Sequence, residues 1–188
     1  TTLKPQTEES FAKLVKETPN APITFENATK EDLFKALAHP TSIIGSDAFV
    51  FMGKKDGKLK EAFDTPYNSV NGHPRGSGTR GRILRLVREE NLMPINLAIA
   101  KMTYMPAKFL QDNGIEQMTK KGRMQVGMDA DITIFDPKTI TDNATPEFGG
   151  LPTTGIPYVL VNGTIMVKDS KVQKGVYPGQ AIRNTIIE

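Results

Sequence analysis

Several absences bound the chemistry open to this 188-residue chain. It contains no cysteine, which excludes disulfides and thiolate metal sites and leans towards a reducing compartment, with a cytoplasmic location as the expectation. It contains two histidines, His39 and His73, and no His-x-His pair. Hydrolytic zinc sites draw several His or carboxylate ligands from different strands, so the chain as given cannot assemble a recognisable complete site. No apolar stretch approaches the ~20 residues of a membrane span, and no membrane partner is expected. Neither sign of charge dominates: 24 Lys and Arg face 21 Asp and Glu, for a net +3. The basic residues are scattered and not interleaved with aromatics, so no nucleic-acid partner is expected. Gly-rich phosphate loops and the Gly-x-Ser-x-Gly elbow are also missing. The opening Thr1-Thr-Leu-Lys-Pro has neither an initiator Met nor the apolar core of a signal peptide, the pattern expected of a chain cut from something longer.

The last third carries the clearest patterns. Residues 130–135 read as a short apolar strand that Asp136 and Pro137 stop. Residues 158–161 and 164–167 are β-rich runs separated by Asn162-Gly163, the strongest short-range hairpin signal a sequence offers. Earlier, residues 8–17 predict a short helix capped by Thr7, with Phe11, Leu14 and Val15 on one face and Pro19 and Pro22 beyond its end. A second helix is predicted from Thr29, where Thr29-Lys-Glu-Asp32 approximates a capping box, and Pro40 stops it. Residues 42–47 then read as a short buried strand ending on an acid, and helix followed by buried strand is the rhythm of a parallel α/β sheet. Residues 49–78 lack a sustained period and read as a long loop. Residues 80–90 predict a helix with Ile83, Leu84, Leu86 and Val87 inward. The next starts at Pro94, with Ile95, Ala98, Ile99 and Met102 as its inner face, and one or two further turns follow from Pro106 to Gln111. A Pro/Gly/Thr-rich excursion interrupts the β pattern from Asn143 to Thr154.

Among residues able to do chemistry, Asp47 stands first. A carboxylate at the carboxyl end of a buried strand is where parallel sheets and barrels place catalytic groups, and a helix-capping or turn role fits it equally. Arg75, between Pro74 and Gly76, could grip a carboxylate with both arms of its guanidinium, or be a solvated loop residue; His73 lies in the same run. His39, at a helix end before Pro40, reads as a cap on helix carbonyls. Asp129, Asp131 and Asp136 look like a metal cluster, yet turn and edge roles explain all three. The eight Met residues read as core filler. Lys54, Lys55, Lys58 and Lys60, with Asp56 and Glu61, read as a solvated loop.

Gly45-Ser-Asp47, His73-Pro-Arg75-Gly, Lys101-Met-Thr-Tyr-Met-Pro-Ala107, Gly122-Arg, Gly127-Met-Asp-Ala-Asp-Ile132, Phe135-Asp-Pro137 and Val159-Leu-Val-Asn-Gly163 occur in one order. From about Asp32 to Arg183 the chain resembles the C-terminal portion of the D-aminoacylases (N-acyl-D-amino-acid deacylases) of the amidohydrolase superfamily. Ala-Asp-Ile and Val-Asn-Gly are common to many amidohydrolases; Ser-Asp with His-Pro-Arg points at this branch. The resemblance implies a (β/α)8 metal-dependent barrel followed by a small β-sandwich. It implies that Asp47 matches the acid after the eighth strand, the general base beside zinc and itself a direct or neighbouring contact of the metal. On the same footing Arg75 matches the arginine expected to hold the substrate's α-carboxylate, and His73 shapes that loop.

The expected fold class is therefore α/β plus β, with residues 1–118 as the last βα units of the barrel and residues 119–188 as most of the sandwich. A barrel alone takes about 250 residues, so only its last one or two units fit here. The expected parent reaction is metal-dependent hydrolysis of N-acyl-D-amino acids or related acylated amines, with zinc bound mainly by the N-terminal part. The expected partners are that remainder, as a separate chain or nicked half, a small-molecule substrate, and further copies in an oligomer. The loop between Asp47 and His73 looks longer than the resemblance to a D-aminoacylase leads one to expect, which leaves another acylated amine or a small peptide open as substrate. Two other readings stand beside this one: a non-catalytic structural or interaction module, and a relative of the cyclic-amide hydrolases, which share the strand-eight Asp but not His-Pro-Arg.

Overall fold

The structure, a computed structural model, describes residues 7–20, 28–60 and 65–184. The opening Thr1 to Pro5, Pro22 and Glu61 lie outside the described residues. The chain divides into two compact units, Thr1–Lys35 and Ala36–Glu188.

In the first unit, helix α1 (Glu8–Glu17) starts on Thr7 as its sequence implies. Thr7 Oγ1 accepts the Ser10 N–H at 3.2 Å and Ser10 Oγ accepts the Thr7 N–H at 2.8 Å, a capping box with Ser in the place of Glu. Helix α2 (Lys30–Ala38) begins the same way, with Thr29 Oγ1 accepting from Asp32 N at 3.1 Å and Asp32 Oδ2 accepting from Thr29 N at 3.4 Å.

The second unit departs from expectation first at residues 42–47, which form no strand. Ile44 is buried as an apolar strand residue would be, but its N–H goes to Lys101 O at 3.1 Å. A strand needs a neighbour to take its ladder of hydrogen bonds, and the described residues supply none at this place. The described part of the stretch from 49 to 78 is more than a long loop. Strands β1 (Met52–Gly53) and β2 (Val70–Asn71) pair antiparallel within it.

Helix α3 (Arg75–Glu90) begins five residues before the sequence suggests. Gly76, Ser77, Gly78 and Thr79 are weak helix formers and read as loop, but packing overrides propensity here. A Cβ on Gly76 would stand 2.8 Å from Phe51 Cζ, and one on Gly81 2.5 Å from Thr153 Cγ2, so the small residues form a face onto which neighbours close. Thr79 Oγ1 also donates back to Arg75 O at 2.8 Å. Further along, Ile83 and Leu84 are buried as expected, and Leu86 and Val87 are half-buried. In α4 (Ile95–Met102) the inner face is rotated from the predicted one: Ala98 and Lys101 are fully buried, while Ile95 and Ile99 are exposed. Helix α5 (Tyr104–Asp112) follows. Gly122, at φ +69, lies so close to α5 that a Cβ would stand 2.6 Å from Thr103 O. Its neighbour Arg123 then reaches Lys121 O at 2.8 Å and Gln111 Oε1 at 2.7 Å.

The excursion between Asn143 and Thr154 is a strap laid on α3. Ser77 Oγ donates to Gly149 O at 2.7 Å, Thr153 Oγ1 donates to Ser77 O at 3.1 Å, and Arg85 Nε donates to Asp142 Oδ1 at 2.6 Å. Beyond it lies a four-stranded antiparallel sheet in the order β3 (Ile132–Ile134), β4 (Tyr158–Val161), β5 (Thr164–Lys168), β6 (Lys171–Val172). Asn162 (φ +49) and Gly163 (φ +77) make the two-residue turn read from the sequence. Asp169 and Ser170, both at positive φ, make a second turn that the sequence does not advertise. Among the described residues every strand pair is antiparallel, and no helix is long and apolar enough to cross a membrane.

The aspartates of the last third hold this sheet together. Asp136 accepts from Lys138 N and Thr139 Oγ1, each at 2.9 Å, and so ends β3. Asp131 Oδ1 accepts the Asn162 N–H at 2.7 Å, while Lys121 Nζ lies 2.6 Å from Asp131 Oδ2 and 3.0 Å from Asp129. Partial burial pulls Asp131 upward, but Lys121 and the Asn162 N–H pull it down by more, and the net direction is down. Lys121 is raised, first by its bond to Asp131. A lowered acid contributes stability that is complete above its unfolded value and lost as pH falls through its folded one; a raised lysine contributes stability lost as pH rises through its folded value. The contact is thus fully present between about pH 4 and pH 10. Asp131→Asn is expected to lower stability by about 1 kcal/mol at pH 7 and to flatten the acid limb of the stability curve, read by thermal denaturation across pH. An unchanged acid limb would show that the sheet does not depend on this carboxylate.

Candidate active site

Two segments bring Asp47 and Arg75 together. Asp47 stands at φ +47, a left-handed conformation that Asp tolerates better than most residues, with its side chain 86% exposed. One of its oxygens, Oδ2, lies 3.1 Å from Arg75 Nη2. Arg75 is the first residue of α3 and not, as read from the sequence, part of a loop. Its Nε is buried and has no hydrogen-bond partner among the described residues. The Nε–Nη2 edge is the fork that grips a carboxylate with two parallel bonds, and here only one prong is engaged, by Asp47.

The rest of the region fixes that arginine. His73 Nδ1 accepts the Arg75 N–H at 3.2 Å, occupying one of the free amides at the helix start. The Phe51 ring fills the space beside Gly72 and Gly76, where a Cβ at either would overlap it. From the strap, the Phe148 ring covers Lys54 with the ammonium 4.5 Å from its centre, and Lys54 Nζ donates to Glu147 O at 2.7 Å. Lys54, although exposed, therefore also ties β1 to the strap. Lys60 pairs with Asp56 at 2.7 Å within the same loop.

His39 does not cap α2. Its Nδ1 lies 3.0 Å from Thr41 Oγ1, further along the chain. The carbonyls at the end of α2 are taken instead by Ser42 and Lys101. Ser42 Oγ reaches Ala36 O at 2.8 Å and His39 O at 3.0 Å, and Lys101 Nζ donates to His39 O, to Ser42 O at 2.7 Å and to Ser42 Oγ at 2.7 Å. Sequence reading quoted Lys101 within a motif and gave it no role of its own. The signal was there, as the one charged residue of α4. The methionines divide: Met93 and Met118 are buried core, whereas Met124 is 83% exposed.

Among the described residues no three His, Asp or Glu side chains converge. Asp47 is a single donor whose neighbour is a cation, so the donor set of the described residues does not fit a zinc site by itself.

No family model matches this chain. It is 40% identical over 97 residues to an N-acyl-D-glutamate deacylase and 31% identical over 152 residues to an N-acyl-D-aspartate deacylase, both from Alcaligenes xylosoxydans xylosoxydans. Those matches cover 51% and 80% of this chain but 19% and 26% of the relatives. Among solved structures, it superposes with a TM-score of 0.61 on an N-acyl-D-glutamate deacylase from Bordetella bronchiseptica holding zinc and a phosphonate mimic of the tetrahedral intermediate. The identity there is 30%, over 82% of this chain and 28% of that one. A D-aminoacylase with a binuclear metal centre superposes with a TM-score of 0.60 at 29% identity, over 77% of this chain and 26% of that one. The chain thus spans about a fifth to a quarter of the length of the relatives it matches. In sequence and in fold the chain is thus similar to a part of the length of several D-aminoacylases and N-acyl-D-amino-acid deacylases of the amidohydrolase kind.

Proposed function

We propose that this chain supplies part of the active site of a metal-dependent deacylase that hydrolyses N-acyl-D-amino acids to a carboxylic acid and the free amino acid. The observation that carries the reading is the approach of Asp47 to Arg75, a carboxylate and a guanidinium from separate segments 3.1 Å apart. In this reading the substrate's α-carboxylate pairs with the Arg75 guanidinium in place of Asp47, which leaves the Asp47 carboxylate free to act. Asp47 removes a proton from water as the water oxygen bonds to the amide carbon. It then gives that proton to the nitrogen as the carbon–nitrogen bond breaks. His73 serves by fixing the backbone from which Arg75 projects.

Zinc, which the described residues do not hold alone, is assigned to the rest of the enzyme. Residues 1–118 then complete a (β/α)8 barrel and residues 119–188 a β-sandwich, each together with that remainder. Native mass spectrometry tests the assembly: a particle of this 20.7 kDa chain with a larger, metal-bearing one supports it, and a metal-free particle of this chain alone counts against it. The substrate class is tested on the assembled enzyme with N-acetyl-D-glutamate, N-acetyl-D-aspartate and neutral N-acetyl-D-amino acids, the first two chosen because relatives at 40% and 31% identity carry those names. Turnover of none of them would overturn the proposal. Arg75→Lys, which keeps the charge and loses the fork, is expected to lower kcat/KM by about 10- to 100-fold, mostly through KM. An unchanged KM would remove Arg75 from substrate binding.

A further inference from the structure

Lys101 is fully buried, and none of the salt bridges among the described residues includes it. Removing an ammonium from water is costly unless every proton finds an oxygen, and here three oxygens do the work: His39 O, Ser42 O and Ser42 Oγ. Burial alone pushes its amine below the ordinary lysine value. Two of those oxygens belong to Ser42, whose hydroxyl is at the same time bonded to Ala36 O and His39 O at the end of α2. The backbone of Lys101 acts on the same segment, since its carbonyl accepts the Ile44 N–H at 3.1 Å. One lysine thus fixes residues 39–44 from both its ends. This is the segment that leads through Gly45 and Ser46 to Asp47, and it has no strand partner among the described residues.

We propose that Lys101 is a positioning residue, which sets where Asp47 stands by clamping Ser42 and Ile44 to α4. The inference rests on the deacylase reading given above. Without substrate Asp47 is held at two points, upstream by the Lys101 clamp and laterally by Arg75; when a substrate carboxylate occupies Arg75, the clamp is the hold that remains. A displacement of about 1 Å in a reacting group is enough to lower a rate by ~100-fold, so a clamp of this kind has catalytic consequences without touching substrate.

The test uses the full enzyme with its metal loaded. Lys101→Met and Ser42→Ala are compared with wild type and with Asp47→Asn on an N-acetyl-D-amino acid that wild type turns over. Metal content and melting temperature are read on the same samples, and rates are taken well below the melting temperature. Positioning predicts a kcat lowered by about 10- to 100-fold in Lys101→Met, a smaller fall in Ser42→Ala, and KM and metal content within about threefold of wild type. A lowered melting temperature with unchanged kcat would make the network purely structural and overturn the inference. A raised KM with unchanged kcat would also overturn it. Where Lys101→Met does not fold, Ser42→Ala decides, and an unchanged kcat in it is fatal. An active Asp47→Asn instead removes the deacylase reading itself, which separates that failure from a failure of the clamp.

Discussion

Replacing Asp47 by asparagine is expected to lower kcat of the proposed deacylase by about 10²- to 10⁴-fold, the range over which a positioned acid–base group contributes. The substitution isolates chemistry from structure. Asparagine tolerates the left-handed backbone that Asp47 adopts at φ +47 as readily as aspartate does, so the segment keeps its path. The ion pair with Arg75 is lost, but it joins a side chain 86% exposed to one 33% exposed. Pairs of that kind contribute only about 0–1 kcal/mol, and the melting temperature should scarcely move. Steady-state kinetics on an N-acyl-D-amino acid, with a thermal melt as control, measures both. Activity within a few-fold of wild type would sink the general-base assignment and return Asp47 to a turn role.

The largest effect on stability is expected at Gly149. A Cβ there would overlap the Gly72 carbonyl oxygen and stand 2.7 Å from the carbonyl carbon. Both partners are backbone, so no rotamer change relieves the clash. Either the strap lifts from α3 or the Gly72–His73 peptide shifts, and that peptide leads directly to Arg75. Gly149→Ala is expected to cost about 3 kcal/mol and to lower activity together with the melting temperature. Gly78→Ala is the matched control: its Cβ would meet Ala144 and Asp142 at 3.5 Å, ordinary contact, inside a helix. There alanine should be neutral or stabilising by up to about 1 kcal/mol. Equal melting temperatures for wild type and Gly149→Ala would mean that the strap does not pack this closely.

How far the sequence could be read depends on the range of the interactions. Both caps of the first two helices and the Asn162-Gly163 turn were legible because their hydrogen bonds join residues at most three apart. The start of α3 was not legible. Its glycines signal a loop locally, and their reason lies in Phe51 and Thr153, distant in sequence. The burial of Lys101 was hidden for the same reason, since its oxygen partners come from residues 39–42. Residues 42–47 show another case: Ile44 alone is buried and Ile43 is exposed, and whether such a stretch becomes a buried strand depends on a neighbour that the described residues lack. Asp47 and Arg75 could be named from motifs, while their approach to each other could not, because nothing local specifies it.

The two turns at Asn162-Gly163 and Asp169-Ser170 have a consequence for the order in which the molecule assembles. They make β4, β5 and β6 a continuous meander, every pairing of which closes a two-residue loop. Such pairings form on the microsecond scale, whereas contacts distant in sequence wait on a slower search. The strap contacts, such as Ser77 with Gly149, belong to the slow class. During refolding of the complete chain the C-terminal meander can therefore be in place while Arg75 is still unsupported, and the pairing of Asp47 with Arg75 is completed late.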